Sequence, residues 1–137
     1  MLISKSTEET QKIAKLLAKK ILKFPPRGAA VLALVGNLGS GKTCFLQGFA
    51  RGLGIKEKIN SPTFVIMKRF KNFYHFDCYR ISKSKDILDL GFKNILENTK
   101  NIVAIEWADK IKKIIPKDAR WIKFEILGQN KRKIVIE

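Results

Sequence analysis

The sequence is poor in several things, and each scarcity removes a class of protein. It has 2 cysteines in 137 residues, Cys44 and Cys78, with no metal-ligand spacing between them. A disulfide scaffold and a zinc ribbon are therefore excluded, and two reduced, partly buried thiols are expected. There is 1 histidine, His75, too few for a histidine metal cluster. The longest apolar run, Ala29 to Val35, is far short of the ~20 residues of a membrane span. The N-terminal stretch MLISKSTEETQ is polar and lacks the apolar centre of a signal peptide. A cytoplasmic protein without membrane contact is expected. Acidic residues are few: Asp plus Glu is 12 against 28 Lys plus Arg, a net charge of +16. Such a balance favours a polyanionic partner such as RNA, through direct contact with a basic surface. The cations are mostly lysines spread along the chain, however, so the bias of an AT-rich genome explains them equally well.

What is present is a folding sequence, 45% hydrophobic and 9% aromatic, of single-domain length. No linker or repeat divides residues 1–137. Ser6 to Glu9 has the S-x-x-E form of a capping box, and Ile13, Leu16, Leu17 and Ile21 follow at helical spacing. AAVLALV reads as a strand buried on both faces. A helix is predicted from about Lys42 to Arg51, stopped by Gly52 and Gly54. Two extended stretches meet at Lys71-Asn72 as a hairpin. Helical turns broken near Gly91 follow, then a buried strand NIVAIEW, a short helix ending at Pro116, and a last hairpin turning at GQN. Apolar strands alternating with helices predict an α/β fold, a single P-loop NTPase domain with a mixed central sheet flanked by helices and carrying β-hairpins.

Gly36, Gly41, Lys42 and Thr43 satisfy G-x-x-x-x-G-K-[ST] in full, with a strand before and a helix after. Glycines let the loop Gly36, Asn37, Leu38, Gly39, Ser40, Gly41 turn its N–H groups toward phosphate, and the helix start adds its positive dipole end. Lys42 would reach the β- and γ-phosphates and Thr43 would ligate Mg²⁺.

Carboxylates must come from elsewhere. Four apolar residues, Ile102 to Ile105, run into Glu106 in the manner of a Walker B strand, with Glu where Asp is usual. Beside the P-loop strand, Glu106 would reach the metal; otherwise it is a surface residue at a strand end. Asp77 closes another extended stretch and could bind a metal-ligated water or position the attacking one, the alternative being a pair with Arg80. Thr63, in NSPTF, lies where a switch loop would sense the γ-phosphate, or else simply caps the next strand. His75 shares a strand face with Asp77 and reads as a hydrogen-bonded structural residue. Trp107 faces away from Glu106 if the strand continues, and is either core or a wall of the site. A guanine-reading N-K-x-D loop is lacking, since NKRK (Asn130 to Lys133) has no Asp, so ATP/ADP is the expected nucleotide. A small-molecule kinase and an RNA-binding module with a vestigial nucleotide site are the alternatives.

GNLGSGKT, SPTF, YHFDCYR, DLGF and IEWADKI, in that order, resemble the TsaE (YjeE) family over nearly the whole chain. The resemblance implies a P-loop ATPase, weak alone, that serves threonylcarbamoyladenosine modification at position 37 of tRNA. It implies a TsaB–TsaD heterodimer as partner, reset by ATP hydrolysis, with tRNA contacted indirectly. It also implies Gly36 to Thr43 as the phosphate loop, Thr43 and Glu106 as Mg²⁺ contacts, Asp77 as the hydrolysis-linked carboxylate and Trp107 beside the nucleotide. Thr7 and Arg132 are implied near the nucleotide from the N-terminal segment and the last hairpin. Asn37, Ser40 and Cys44 depart from the family's usual Asp, Ala and Thr.

Overall fold

A computed structural model describes residues 1–60 and 66–137. Thr63 lies outside the described residues. The elements in chain order are β1 (Leu2–Ser4), α1 (Thr7–Lys23), β2 (Ala30–Val35), α2 (Lys42–Gly52), β3 (Met67–Phe70), β4 (Phe73–Asp77), α3 (Lys85–Leu88), α4 (Phe92–Glu97), β5 (Ile102–Glu106), a 3₁₀ helix (Ala108–Ile114), β6 (Arg120–Ile126) and β7 (Arg132–Ile136). The strands form one sheet in the order β1-β7-β6-β2-β5-β4-β3. β2 is parallel to both neighbours, β5 and β6, and β4 is parallel to β5. Antiparallel hairpins β3–β4 and β6–β7 flank the parallel strands, as the mixed sheet predicts, and β1 adds the outermost strand beyond β7.

Period-two alternation splits the core between the two sheet faces. Ala30, Leu32 and Leu34 of β2 pack with α1 and α2, over Phe45, Leu46 and Phe49. Val31 and Ala33 face the other way, toward Ile87, Phe92, Ala108 and Ile111. The buried NIVAIEW strand divides likewise, Ile102 and Ala104 toward the α1/α2 face and Val103 and Ile105 toward the other. By the same alternation Glu106, His75 and Asp77 belong to the α1/α2 face.

The Ser6 half of the capping box is formed, with Ser6 accepting from the Glu9 N–H at 3.1 Å, while the Glu9 carboxylate accepts from the N–H of Lys5, one residue before the cap, at 2.7 Å. Two sequence expectations change, and a third gains a packing reason. The polar N-terminus contains a strand, because β1 pairs with β7 and its buried Ser4 hydroxyl bonds Thr10 of α1 at 2.7 Å. Gly52 is the last residue of α2 and Gly54 follows with φ 85, so the helix ends where these glycines predict; Gly52 also packs, since a Cβ there would meet Ala18 Cβ at 2.7 Å, and one on Gly48 would meet the Gln11 carbonyl oxygen at 2.4 Å. Gly48 and Gly52 let α2 lie directly on α1. The helix before Pro116 is 3₁₀, with a non-helical break at Ile111. No helix among the described residues is long and apolar enough to cross a membrane.

Candidate functional site

The carboxyl ends of β2, β5 and β4 lie side by side, the edge of an open α/β sheet where crevices form. The loop leaving β2 turns back over this edge into α2. Gly41 caps α2 with φ 105, a left-handed conformation that disfavours a side chain, and no side chain caps the helix start. The first-turn N–H groups of α2 therefore point outward without a side-chain acceptor of their own. Gly36 is needed for space: a Cβ there would lie 2.7 Å from Ser40 Oγ and 2.9 Å from the Phe124 carbonyl oxygen. Ser40 Oγ is buried with no partner among the described residues. Phe45 of α2 packs edge-on against Phe124 of β6 at 5.4 Å, fixing the helix beneath the loop. Leu38, at the loop's tip, is exposed.

Lys42, first residue of α2, is buried and donates to the Gly36 carbonyl. Its ammonium also sits 3.7 Å from the centre of the Trp107 ring. Burial pushes the Lys42 ammonium below the usual lysine range, and the carboxylates of Glu106, Asp77 and Asp109 draw it part of the way back. A desolvated cation held by one carbonyl and one ring is ready to exchange them for phosphate oxygens.

Glu106 ends β5 opposite Leu34 and is buried, not a surface residue at a strand end. Its Oε1 faces the Thr43 hydroxyl at 3.5 Å, and its Oε2 lies 2.7 Å from His75 Nε2. An ionised carboxylate only accepts, so Nε2 carries the proton in that contact. His75 is fully buried and its Nδ1 has no partner among the described residues. The sequence reading had His75 as hydrogen-bonded but did not identify the partner; β4 and β5 pair in parallel, which brings the two together. Asp77, opposite Glu106 on β4, is buried, and its Oδ1 accepts the Tyr79 N–H at 3.0 Å.

Trp107 does not continue the strand. Its φ of 57 puts it in the left-handed region, where β5 breaks into the 3₁₀ helix, and this swings the ring over Lys42. It is a wall of the site, with Tyr79 against it at 5.1 Å and the Lys110 ammonium 5.8 Å from its ring. Tyr79 and Lys110 lie within the YHFDCYR and IEWADKI stretches, but the sequence pattern gives neither a role. On the other side of the loop, Arg132 Nη2 donates to the Gly39 carbonyl at 3.1 Å. Thr7 and Arg132 line a cleft of about 190 Å³ with Gly39, Gly41 and Cys44.

The arrangement fits a phosphate chain and a hard cation. The loop is a backbone cradle that a Cβ at Gly36 would fill, and an unpartnered buried hydroxyl lies within it. Among the described residues no cluster of three or more His, Cys, Asp or Glu could hold a metal. One hydroxyl and one carboxylate suit Mg²⁺, which takes its other ligands from phosphate and water.

Residues 4–134 match the family described as threonylcarbamoyl adenosine biosynthesis protein TsaE. The chain is similar to the tRNA threonylcarbamoyladenosine biosynthesis protein TsaE of Bacillus subtilis (39% identity, 93% of this chain, 78% of the relative). It is also similar to those of Rickettsia felis (36%, 96% and 76%) and Treponema pallidum (30%, 98% and 97%). Among solved structures, Bacillus subtilis YdiB superposes with a TM-score of 0.76 at 32% identity, over 98% of this chain and 82% of that one.

Proposed function

The chain belongs to the TsaE family, and from that premise we propose that it is the ATP-hydrolysing subunit of tRNA threonylcarbamoyladenosine biosynthesis, weak alone, which resets a TsaB–TsaD heterodimer between turnovers at position 37 of tRNA. The observation that carries this reading is the convergence of the Lys42 ammonium, the Thr43 hydroxyl and the buried Glu106 carboxylate at one glycine-rich loop.

Each residue then has a task. The N–H groups of Gly36 to Thr43 and the start of α2 hold the β- and γ-phosphates. Lys42 leaves the Gly36 carbonyl for the phosphate oxygens. Thr43 and Glu106 would hold Mg²⁺, Glu106 directly or through water, and the bound ion would supply charge neutralisation for the phosphates. Asp77 orients the attacking water, with Tyr79's N–H fixing its other oxygen. Water adds to the γ-phosphorus, the bond to the β-phosphate oxygen breaks, and ADP and phosphate leave. Trp107 shields Lys42 from solvent, while Thr7 and Arg132 border the nucleotide from the cleft beyond Gly39. Thr63 is assigned to γ-phosphate sensing.

The test combines the chain with its organism's TsaB and TsaD homologues and follows tRNA modification over many turnovers. ATP is expected to sustain turnover and a non-hydrolysable analogue to stop it after about one cycle. Modification that proceeds equally with both would overturn the reading, and a phosphorylated small-molecule acceptor would replace it with a kinase.

A further inference from the structure

The shortage of acid is not uniform. Residues 10–56 contain no Asp or Glu, so none of the chain's 12 acidic residues falls on α1 beyond its first turn or on α2. Along α1, Lys12, Lys15, Lys19 and Lys23 are exposed. At 3.6 residues per turn they fall within an arc of roughly 80°, over about 16 Å of helix. Lys20 flanks this line, and exposed Arg51 lies on the neighbouring helix α2, where Gly52 touches Lys15 and Ala18. Among the described residues none of these cations is ion-paired. The exposed ion pairs lie elsewhere: Lys85–Asp89, Lys123–Glu137 and Lys133–Glu125. Genome bias alone would enrich lysine everywhere, with acids interspersed everywhere too. It does not account for the absence of every Asp and Glu from residues 10–56 when all 12 acidic residues lie elsewhere in the chain.

We propose that the outer face of α1, Lys12, Lys15, Lys19 and Lys23 with Lys20 and Arg51 beside it, is a docking surface for the phosphate backbone of RNA. This rests on the reading that the pathway's substrate is tRNA. Closely spaced cations without intervening acids release counterions from a polyphosphate, and that release drives binding without reading sequence. The face starts near Thr7, at the nucleotide end, and runs toward the opposite edge of the sheet. RNA held along it lies beside the loop rather than in it. An acidic membrane is the poorer match. An interfacial helix lays a continuous apolar face on the bilayer, whereas the apolar face of α1 (Ala14, Leu17, Ala18, Ile21) is buried in the core.

The test measures binding of an unmodified tRNA transcript to the full chain across a salt series. The triple variant Lys12→Gln/Lys15→Gln/Lys19→Gln keeps good helix formers at exposed positions. It is expected to bind at least about tenfold more weakly and to lower the magnitude of the log–log salt slope by about 2–3. Lys112→Gln/Lys113→Gln/Lys117→Gln removes the same charge from exposed positions on the other side of the sheet and is expected to stay near wild type. Equal losses in both variants, no loss in the first, or no tRNA binding by wild type overturns the proposal. Capture by phosphatidylserine vesicles in place of tRNA does the same. The pathway reading fails separately: absence of ATP-dependent modification by wild type would sink it and leave the salt slopes standing, whereas unchanged tRNA binding by the first variant sinks only the docking face.

Discussion

His75 Nε2 lies 2.7 Å from Glu106 Oε2, with both side chains buried, while the other oxygen of Glu106 faces Thr43. The imidazole thus fixes which carboxylate oxygen is presented toward the glycine-rich loop. His75→Ala leaves a buried carboxylate oxygen without its donor, at about 2 kcal/mol of stability. Nucleotide affinity in the absence of Mg²⁺ is expected to hold, and turnover with partners to fall at least about tenfold. His75→Gln, which can still donate, is expected to recover part of it. Because the chain has one histidine, the imidazole nitrogen signals in NMR are unambiguous. They are expected to show the proton on Nε2, and a proton on Nδ1 alone would contradict the arrangement.

Lys42, Glu106 and Asp77 are expected to separate binding from chemistry. Lys42→Ala removes the cation that meets the phosphates, and nucleotide binding by calorimetry is expected to be lost. Glu106→Ala and Asp77→Ala act on metal and water, so binding persists while phosphate release with partners falls by about 10²-fold or more. A Glu106→Ala chain with the wild-type rate would remove Glu106 from the mechanism.

The Trp107 ring is 3.7 Å from the Lys42 ammonium. Phosphate that draws Lys42 away changes the charge over the indole, so nucleotide is expected to change the intrinsic fluorescence. The change should survive Trp121→Phe and vanish in Trp107→Phe.

The two thiols should behave differently. Cys44 is half-buried beside Thr7 at the cleft, so nucleotide is expected to slow its alkylation. Cys78 is buried and pushed up to about 12, mainly by desolvation with Asp77 adding to it. It is expected to stay unmodified at pH 8 until the chain unfolds. Since the unfolded thiol ionises near its ordinary value of 9.0, its contribution to stability is complete below that pH and is lost as pH rises toward 12. A Cys78→Ala chain should therefore lose less stability than wild type over that alkaline window, as urea unfolding would show.

Gly48→Ala places a Cβ 2.4 Å from the Gln11 carbonyl oxygen and 2.5 Å from Gln11 Cα. Backbone cannot rotate aside as a side chain does. A loss of about 1–3 kcal/mol is expected in thermal or urea unfolding, and unchanged stability would mean that α1 and α2 are not so closely apposed.

The glycine-rich loop, the buried strands beside it and the α/β class are legible in the residues alone, because each rests on local chemistry: backbone turns, apolar runs and helix-start signals. The sequence also named Lys42, Thr43, Asp77 and Glu106, each of which sits at a strand end or helix start that local pattern marks. Only the tertiary structure decided what depends on strand order and on one backbone angle. The pairing of β4 with β5 joins His75 to Glu106 across 31 positions of sequence. The left-handed turn at residue 107 sends Trp107 onto Lys42 instead of along the strand. The contact of α1 with α2 gives Gly48 and Gly52 a packing role that helix propensity does not show. Period and propensity act over a few residues, whereas these three relationships are set by which elements come to lie against each other.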